Sequence, residues 1–381
     1  MTAVAKRLYT VEEYYFSKKL KVVRALISEG APVINLGIGS PDLPPKPSVV
    51  EALKSSLMDP NAHKYQSYQG LPELRNAISN FYKNNYAISL NPENEILPLM
   101  GSKEGIMHIS MAYLNEGDAV LIPNPGYPTY SAVAKLMGAK TIFYDLNTES
   151  QWQPNIAKLE ALDLSNVKLM WINYPHMPTG TLGDTNRLEA LIQFATRHEI
   201  LLINDNPYSF ILNDNPQSIF NYKGAKACCL ELNSLSKSYN MAGWRVGMLS
   251  GAARHIQNVL KVKSNMDSGM FYGVQKGAIE ALNTSKDWFD NLNTTYKKRR
   301  DLVWKLASQL GCTYDKNTTG MFVWAKLPND LDSEEFIDNL LLEKHIFIAP
   351  GTIFGSNGKG YVRFSLCADE NVINEAIIRT K

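Results

Sequence analysis

One stretch of the chain concentrates reactive groups. Ser234-Leu235-Ser236-Lys237-Ser238-Tyr239-Asn240-Met241-Ala242-Gly243-Trp244-Arg245-Val246-Gly247 sets two hydroxyls, Ser234 and Ser236, and the guanidinium of Arg245 around a single lysine. Hydroxyls and a guanidinium hold a phosphate through charge-assisted hydrogen bonds, and a lysine amine beside them attacks carbonyls. Phosphate beside amine is what pyridoxal 5'-phosphate (PLP) needs, with a Schiff base to Lys237. Two further polar clusters, Asp205-Asn206-Pro207-Tyr208 and Tyr174-Pro175-His176-Met177-Pro178-Thr179-Gly180, each follow an apolar run. Alone, either reads as an ordinary polar loop. Three polar strand ends on one rim read as a site.

Other chemistries lack their residues. The six histidines (His63, His108, His176, His198, His255, His345) are scattered, with no HExxH and no Cys/His cluster, so no metal site is expected. No GxSxG elbow and no GxxxxGK[ST] loop is present. Leu36-Gly37-Ile38-Gly39-Ser40-Pro41-Asp42 lacks the third glycine of a dinucleotide fingerprint, and Pro41 blocks the helix expected there.

The elements that must position these groups alternate. Ala119–Pro123, Thr141–Tyr144, Val167–Asn173, Ile200–Asn204, Ala227–Leu232 and Val246–Ser250 are short apolar runs, mostly without polar alternation, as strands buried on both faces should be. Between them lie stretches of helical period. In Asp184–Arg197, Asp184 or Thr185 can cap and Leu188, Leu191, Ile192 and Ala195 share a face. The alternation predicts an α/β fold with a mostly parallel, doubly wound sheet, whose ligands bind beyond the carboxyl ends of the strands. Past a long helix at Lys286–Leu310, the runs Gly320–Leu327, Ile346–Pro350 and Tyr361–Leu366 suggest a smaller α+β domain. The expected division is an N-terminal segment 1–40, a large domain 41–284 and a small domain 285–381. The first segment, with an amphipathic helix near Val11–Ser28 and no sheet of its own, should pack on the small domain.

Composition narrows the class. The 381 residues, 45% apolar and 20% charged, suit a globular protein of more than one domain. A net charge of +2 gives no excess for nucleic acid or an anionic membrane, and no apolar run approaches the roughly 20 residues of a spanning helix. The opening MTAVAKRLYTVEEYY has no apolar core of a secretory signal, and four cysteines make no disulfide framework, so a cytoplasmic location is expected.

The lysine run resembles the signature of class I/II (fold type I) PLP-dependent aminotransferases at each defining position, and the resemblance spans nearly the whole chain. It implies a role for each of several residues. Gly39 meets the substrate carboxylate through its backbone. Tyr65, in Tyr65-Gln66-Ser67-Tyr68-Gln69-Gly70, reaches the cofactor phosphate of a partner subunit, which makes the active unit a homodimer. Gly101-Ser102-Lys103-Glu104-Gly105 offers Ser102, Lys103 and a helix start to the phosphate. Tyr127 stacks on the cofactor ring, Asp205 bonds the ring nitrogen and Tyr208 the ring hydroxyl. Arg363 grips the substrate α-carboxylate, and Tyr14 touches substrate. One position departs from the family: where an asparagine precedes Pro-Thr-Gly and donates to the ring oxygen, this chain has Met177, which donates nothing.

The activity so implied is transfer of an amino group from an L-amino acid to a 2-oxo acid. The alternative is a fold type I PLP lyase or decarboxylase, which shares the lysine, aspartate and arginine. A PLP-sensing transcription regulator would need a DNA-binding module ahead of the domain, and none is expected here. The Gly-Ser-Lys-Glu-Gly and Pro-Gly-Tyr-Pro segments are most similar to the branch containing diaminopimelate, aspartate and alanine aminotransferases. The side-chain pocket is expected to draw on Tyr14, residues 265–271 and the other subunit.

Overall fold

The computed structural model describes residues 2–11, 13 and 15–381. The expected substrate contact at Tyr14 lies outside the described residues. The strands are β1 (Ile34–Asn35), β2 (Ile96–Leu99), β3 (Ala119–Asn124), β4 (Lys140–Asp145), β5 (Val167–Ile172), β6 (Leu201–Asp205), β7 (Cys229–Ser234), β8 (Gly247–Gly251), β9 (Thr313–Tyr314), β10 (Phe322–Lys326), β11 (Ile346–Phe347), β12 (Ala349–Pro350) and β13 (Tyr361–Ser365). Seven form one sheet in the order β2-β8-β7-β6-β5-β3-β4. Within it, β8 alone runs against the other six. Every residue of β3, β6 and β7 is buried, which is why these strands read as apolar runs up to their polar ends, with Glu231 of β7 the exception.

Alternate side chains of the sheet enter two apolar layers. Leu169, Trp171, Leu201, Ile203, Leu230 and Leu232 face one, with Ile106, Ile109 and Val133 from covering helices. Met170, Ile172, Leu202 and Cys229 face the other, with Ile78, Phe81, Leu188 and Leu191 from the helices on that side. Each Leu or Ile so buried contributes about 1.5–3 kcal/mol. The helix Thr185–Arg197 starts as its sequence requires, with Asp184 accepting from the Arg187 N–H.

A third cluster is built on the helix Lys286–Gln309, β10, β13 and the helices Ser333–Lys344 and Glu370–Arg379. N-terminal residues join it: Phe16 and Val23 pack into this cluster, and Tyr15 donates to Glu334 at 2.9 Å. Asp42 receives both terminal nitrogens of the buried Arg299 at 2.7 and 2.8 Å, a bidentate pair that ties the start of the large sheet region to the long helix.

Three expectations need correction. The first 40 residues do contribute a strand: β1 pairs in parallel with β11, Ile34 opposite Ile346. Ile346–Pro350 is two strands rather than one, because β11 pairs with β1 while β12 pairs with β13. The third is β2, which leaves no clear strand signal because Pro98 interrupts it. It lies at the sheet edge, where a residue lacking an N–H is tolerated.

Candidate active site

The chain order reverses between β3 and β5, and the loops beyond the strand ends there open a cavity of about 570 Å³. Lys237 enters from the turn after β7, Asp205 from the end of β6, Tyr127 from beyond β3, and Arg245 from just before β8. Gly39, Ser102, Lys103, Tyr208, Ser234, Ser236 and Arg363 line the same cavity. Tyr65 does not. It is 90% exposed, beside residues 268–271.

Lys237 donates from Nζ to the Gly39 carbonyl at 2.5 Å. Burial pushes its amine pKa down, and the charges of Arg363 and Arg245 push the same way, which favours the neutral, nucleophilic amine. Asp205 is buried too. Its Oδ2 accepts from the Tyr130 hydroxyl at 2.9 Å, while Oδ1 is buried with no hydrogen-bond partner among the described residues. Burial raises this carboxyl to about 6. A carboxylate half-satisfied in a dry site calls for a cationic N–H opposite Oδ1.

One end of the cavity is built for an anion. Gly101, at φ 90°, precedes the helix Ser102–Tyr113, and a Cβ there would lie 2.3 Å from a terminal nitrogen of Arg245. The missing side chain lets Arg245 lie over the first turn of the helix, where N–H groups point outward. Lys103 is half-buried beside it, and burial and the Arg245 charge lower its pKa. Ser234 Oγ donates to Ser236 Oγ at 2.9 Å and accepts the Ser236 N–H at 3.1 Å, so the two hydroxyls are held as a pair.

The other end holds Arg363. Its guanidinium lies 3.9 Å from the ring centroid of Phe322, 4.7 Å from Phe354 and 5.7 Å from Phe16. It donates to the Gly37 carbonyl at 2.8 Å and to the Met177 sulfur at 3.2 Å. In sequence Met177 is only a lost donor; the structure gives its sulfur a use as an acceptor. The neighbouring polar groups are committed elsewhere. His176 bonds Thr179 and the Pro125 carbonyl through its two ring nitrogens, and burial lowers its pKa to about 4. Asn173 donates to the Asp205 carbonyl and accepts from the Met177 N–H at 2.7 Å. Tyr208 packs edge-on to Phe322 at 5.7 Å, its phenol pKa raised by burial.

Other contributors carry no local mark in the sequence. Tyr130 stacks on the fully buried Trp171, 4.8 Å between centroids, which aims its hydroxyl at Asp205. Glu231 accepts from Tyr82, Ser218, Asn204, Asn206 and the Ile219 N–H, pinning the ends of β6 and β7. Glu104 and His108, one turn apart on the helix Ser102–Tyr113, and the sequence-distant Asp267 also bring ligand atoms within 4.8 Å of one another; the Lys263 ammonium already pairs with Asp267.

Comparison with known proteins gives this cavity a family. The profile described as "Aminotransferase class I and II" matches residues 31–379. The LL-diaminopimelate aminotransferase of Halothermothrix orenii is 38% identical over 379 residues, 99% of this chain and 97% of that protein. That of Aquifex aeolicus is 35% identical, covering 100% and 99%. Among solved structures, apo-BacF from Bacillus subtilis superposes with a TM-score of 0.95 at 36% identity, covering 100% of this chain and 98% of that one. An aminotransferase from Staphylococcus aureus gives 0.90 at 30% identity, covering 99% and 98%. The chain belongs to the class I and II aminotransferases, enzymes that move amino groups with pyridoxal 5'-phosphate.

Proposed function

We propose that this cavity takes the amino group of an L-amino acid, LL-diaminopimelate first among candidates, and passes it to a 2-oxo acid, with the cofactor held covalently by Lys237. The observation that carries this reading is the meeting of Lys237, Asp205 and Arg363 in one cavity. The names of the relatives support the donor. A panel of amino donors against 2-oxoglutarate and pyruvate, followed by cofactor absorbance, tests it. LL-diaminopimelate should give the largest kcat/KM, and inactivity with every donor would contradict the reading.

The donor set fits the cofactor. The unsatisfied Oδ1 of Asp205 suits a protonated ring nitrogen, and Arg245, Lys103, Ser102, Ser234 and Ser236 surround the place for a phosphate. Tyr127 would flank the ring and Tyr208 donate to its oxygen. Bound there, PLP supplies an electron sink that weakens the Cα–H bond of an attached amino acid. Lys237 Nζ would be the base that takes the Cα proton, and burial, which lowers its pKa, keeps it free to do so. Arg363 and the Gly39 backbone orient the α-carboxylate.

Two tests follow from single residues. Arg363→Lys should raise KM roughly 10- to 100-fold for every amino donor alike, because a point charge replaces a planar fork used for the shared α-carboxylate. An effect confined to acidic donors would move Arg363 to the side-chain pocket. Met177→Asn should lower the pKa of the holoenzyme's visible absorption band by about one to two units, since a new donor favours the ionised ring oxygen. With His176 turned away, no change on titration would mean that another donor fills the place.

The exposed Tyr65, with Met58, Met266 and Phe271 also exposed, supports a homodimer in which Tyr65 serves the partner's cavity. Sedimentation at assay concentration tests it: a fully active monomer contradicts the shared site. We propose the same division as above, an N-terminal segment 1–40 on a small domain 285–381, beside a large domain 41–284. No helix among the described residues is long and apolar enough to cross a membrane, which accords with a cytoplasmic place for the enzyme.

A further inference from the structure

The helix Tyr15–Ser28 walls one side of the cavity. Phe16, Leu20 and Arg24 recur every four residues on one face and all line it. Phe16 reaches the Arg363 guanidinium, 5.7 Å from its ring centroid. Two turns on, roughly 12 Å along the axis at 1.5 Å per residue, stands Arg24. It is exposed and has no ion-pair or hydrogen-bond partner among the described residues.

The charges that line the cavity leave one cation to spare. Among the described residues the cavity is lined by five cations, Arg24, Lys103, Lys237, Arg245 and Arg363, against one carboxylate, Asp205. On the proposed reading Lys237 would carry the cofactor and Asp205 would face its ring nitrogen. Lys103 and Arg245 lie together at the phosphate end, where burial and the Arg245 charge lower the Lys103 pKa. A phosphate brings about −1.5 to −2 and an α-carboxylate −1, which Lys103, Arg245 and Arg363 neutralise. Among the described residues Arg24 remains uncompensated, at the far end of an apolar strip made by Phe16 and Leu20.

We infer that Arg24 binds a second carboxylate at the distal end of the amino-acid substrate, whose methylenes lie along Phe16 and Leu20. The inference rests on the proposed reading of Lys237, Asp205 and Arg363 as the reacting end. An arginine fork suits a carboxylate, and the apolar strip asks for a chain of several carbons between the two acids.

The test is equilibrium binding of unreactive acids to the holoenzyme by titration calorimetry. Heptanedioate should bind roughly tenfold more tightly than heptanoate, the same chain without the second carboxylate. Arg24→Gln should bring the two within about threefold, and Arg24→Lys should keep most of the preference by charge alone. A preference that survives Arg24→Gln, or none in the unaltered enzyme, overturns the inference. Collapse in Lys103→Gln with Arg24→Gln unaffected assigns the carboxylate to Lys103 and overturns it as well. Failure of the underlying reading looks different: heptanoate affinity would then be indifferent to Arg363→Lys.

Discussion

Lys237→Ala is expected to lose at least about 10⁴-fold in kcat, the upper range for a positioned acid–base group, because one substitution removes both the cofactor's attachment and the base at Cα. The variant should bind cofactor without a covalent link. Borohydride reduction followed by peptide mapping should label Lys237 in the unaltered protein and nothing in the variant. Label on another lysine would move the reacting end elsewhere. Ser234 and Ser236 should stay ordered in the variant, since their mutual hydrogen bonds do not involve the amine.

Asp205→Asn separates catalysis from stability. Turnover should fall roughly 10²- to 10³-fold, since an amide cannot stabilise a protonated ring nitrogen. The cofactor-free protein should respond in the opposite sense. Burial raises the Asp205 carboxyl from 3.8 to about 6, so the folded chain holds this proton more tightly than the unfolded one. That contribution is full below pH 4 and is lost as pH rises through 6, where the fold must carry a buried carboxylate with Oδ1 unmatched. Asparagine has no such charge to bury and can still accept from Tyr130. Cofactor-free Asp205→Asn should therefore match the unaltered protein near pH 4 and exceed its stability by about 3 kcal/mol at pH 7.5. Denaturant unfolding of both at the two pH values checks this. Equal stability at pH 7.5 would mean that Asp205 is already satisfied without a cofactor.

Much of this was legible because burial leaves a plain mark on sequence. Strands such as β6, buried throughout, are apolar up to their ends, so the polar residues that follow stand out, and Asp205 and Lys237 are found that way. The family signature then supplies roles that no spacing could give. What escapes has no local signal. β2 hides behind Pro98, and the break between β11 and β12 depends on which strand each half meets. Tyr130 is one aromatic on a helix face, and only the stack on Trp171 turns its hydroxyl to Asp205. Glu231 looks like an oddity in an apolar strand until five donors from distant segments converge on it. Arg24 is a surface arginine in sequence; the cavity wall gives it a direction.

The most direct test is a single turnover without acceptor. Holoenzyme mixed with ¹⁵N-labelled LL-diaminopimelate should yield one equivalent of 2-oxo acid per subunit, with the labelled nitrogen retained in the protein-bound fraction until a 2-oxo acid is added. Release of labelled ammonia or of carbon dioxide in that first turnover would contradict amino-group transfer and point to elimination or decarboxylation in the same cavity.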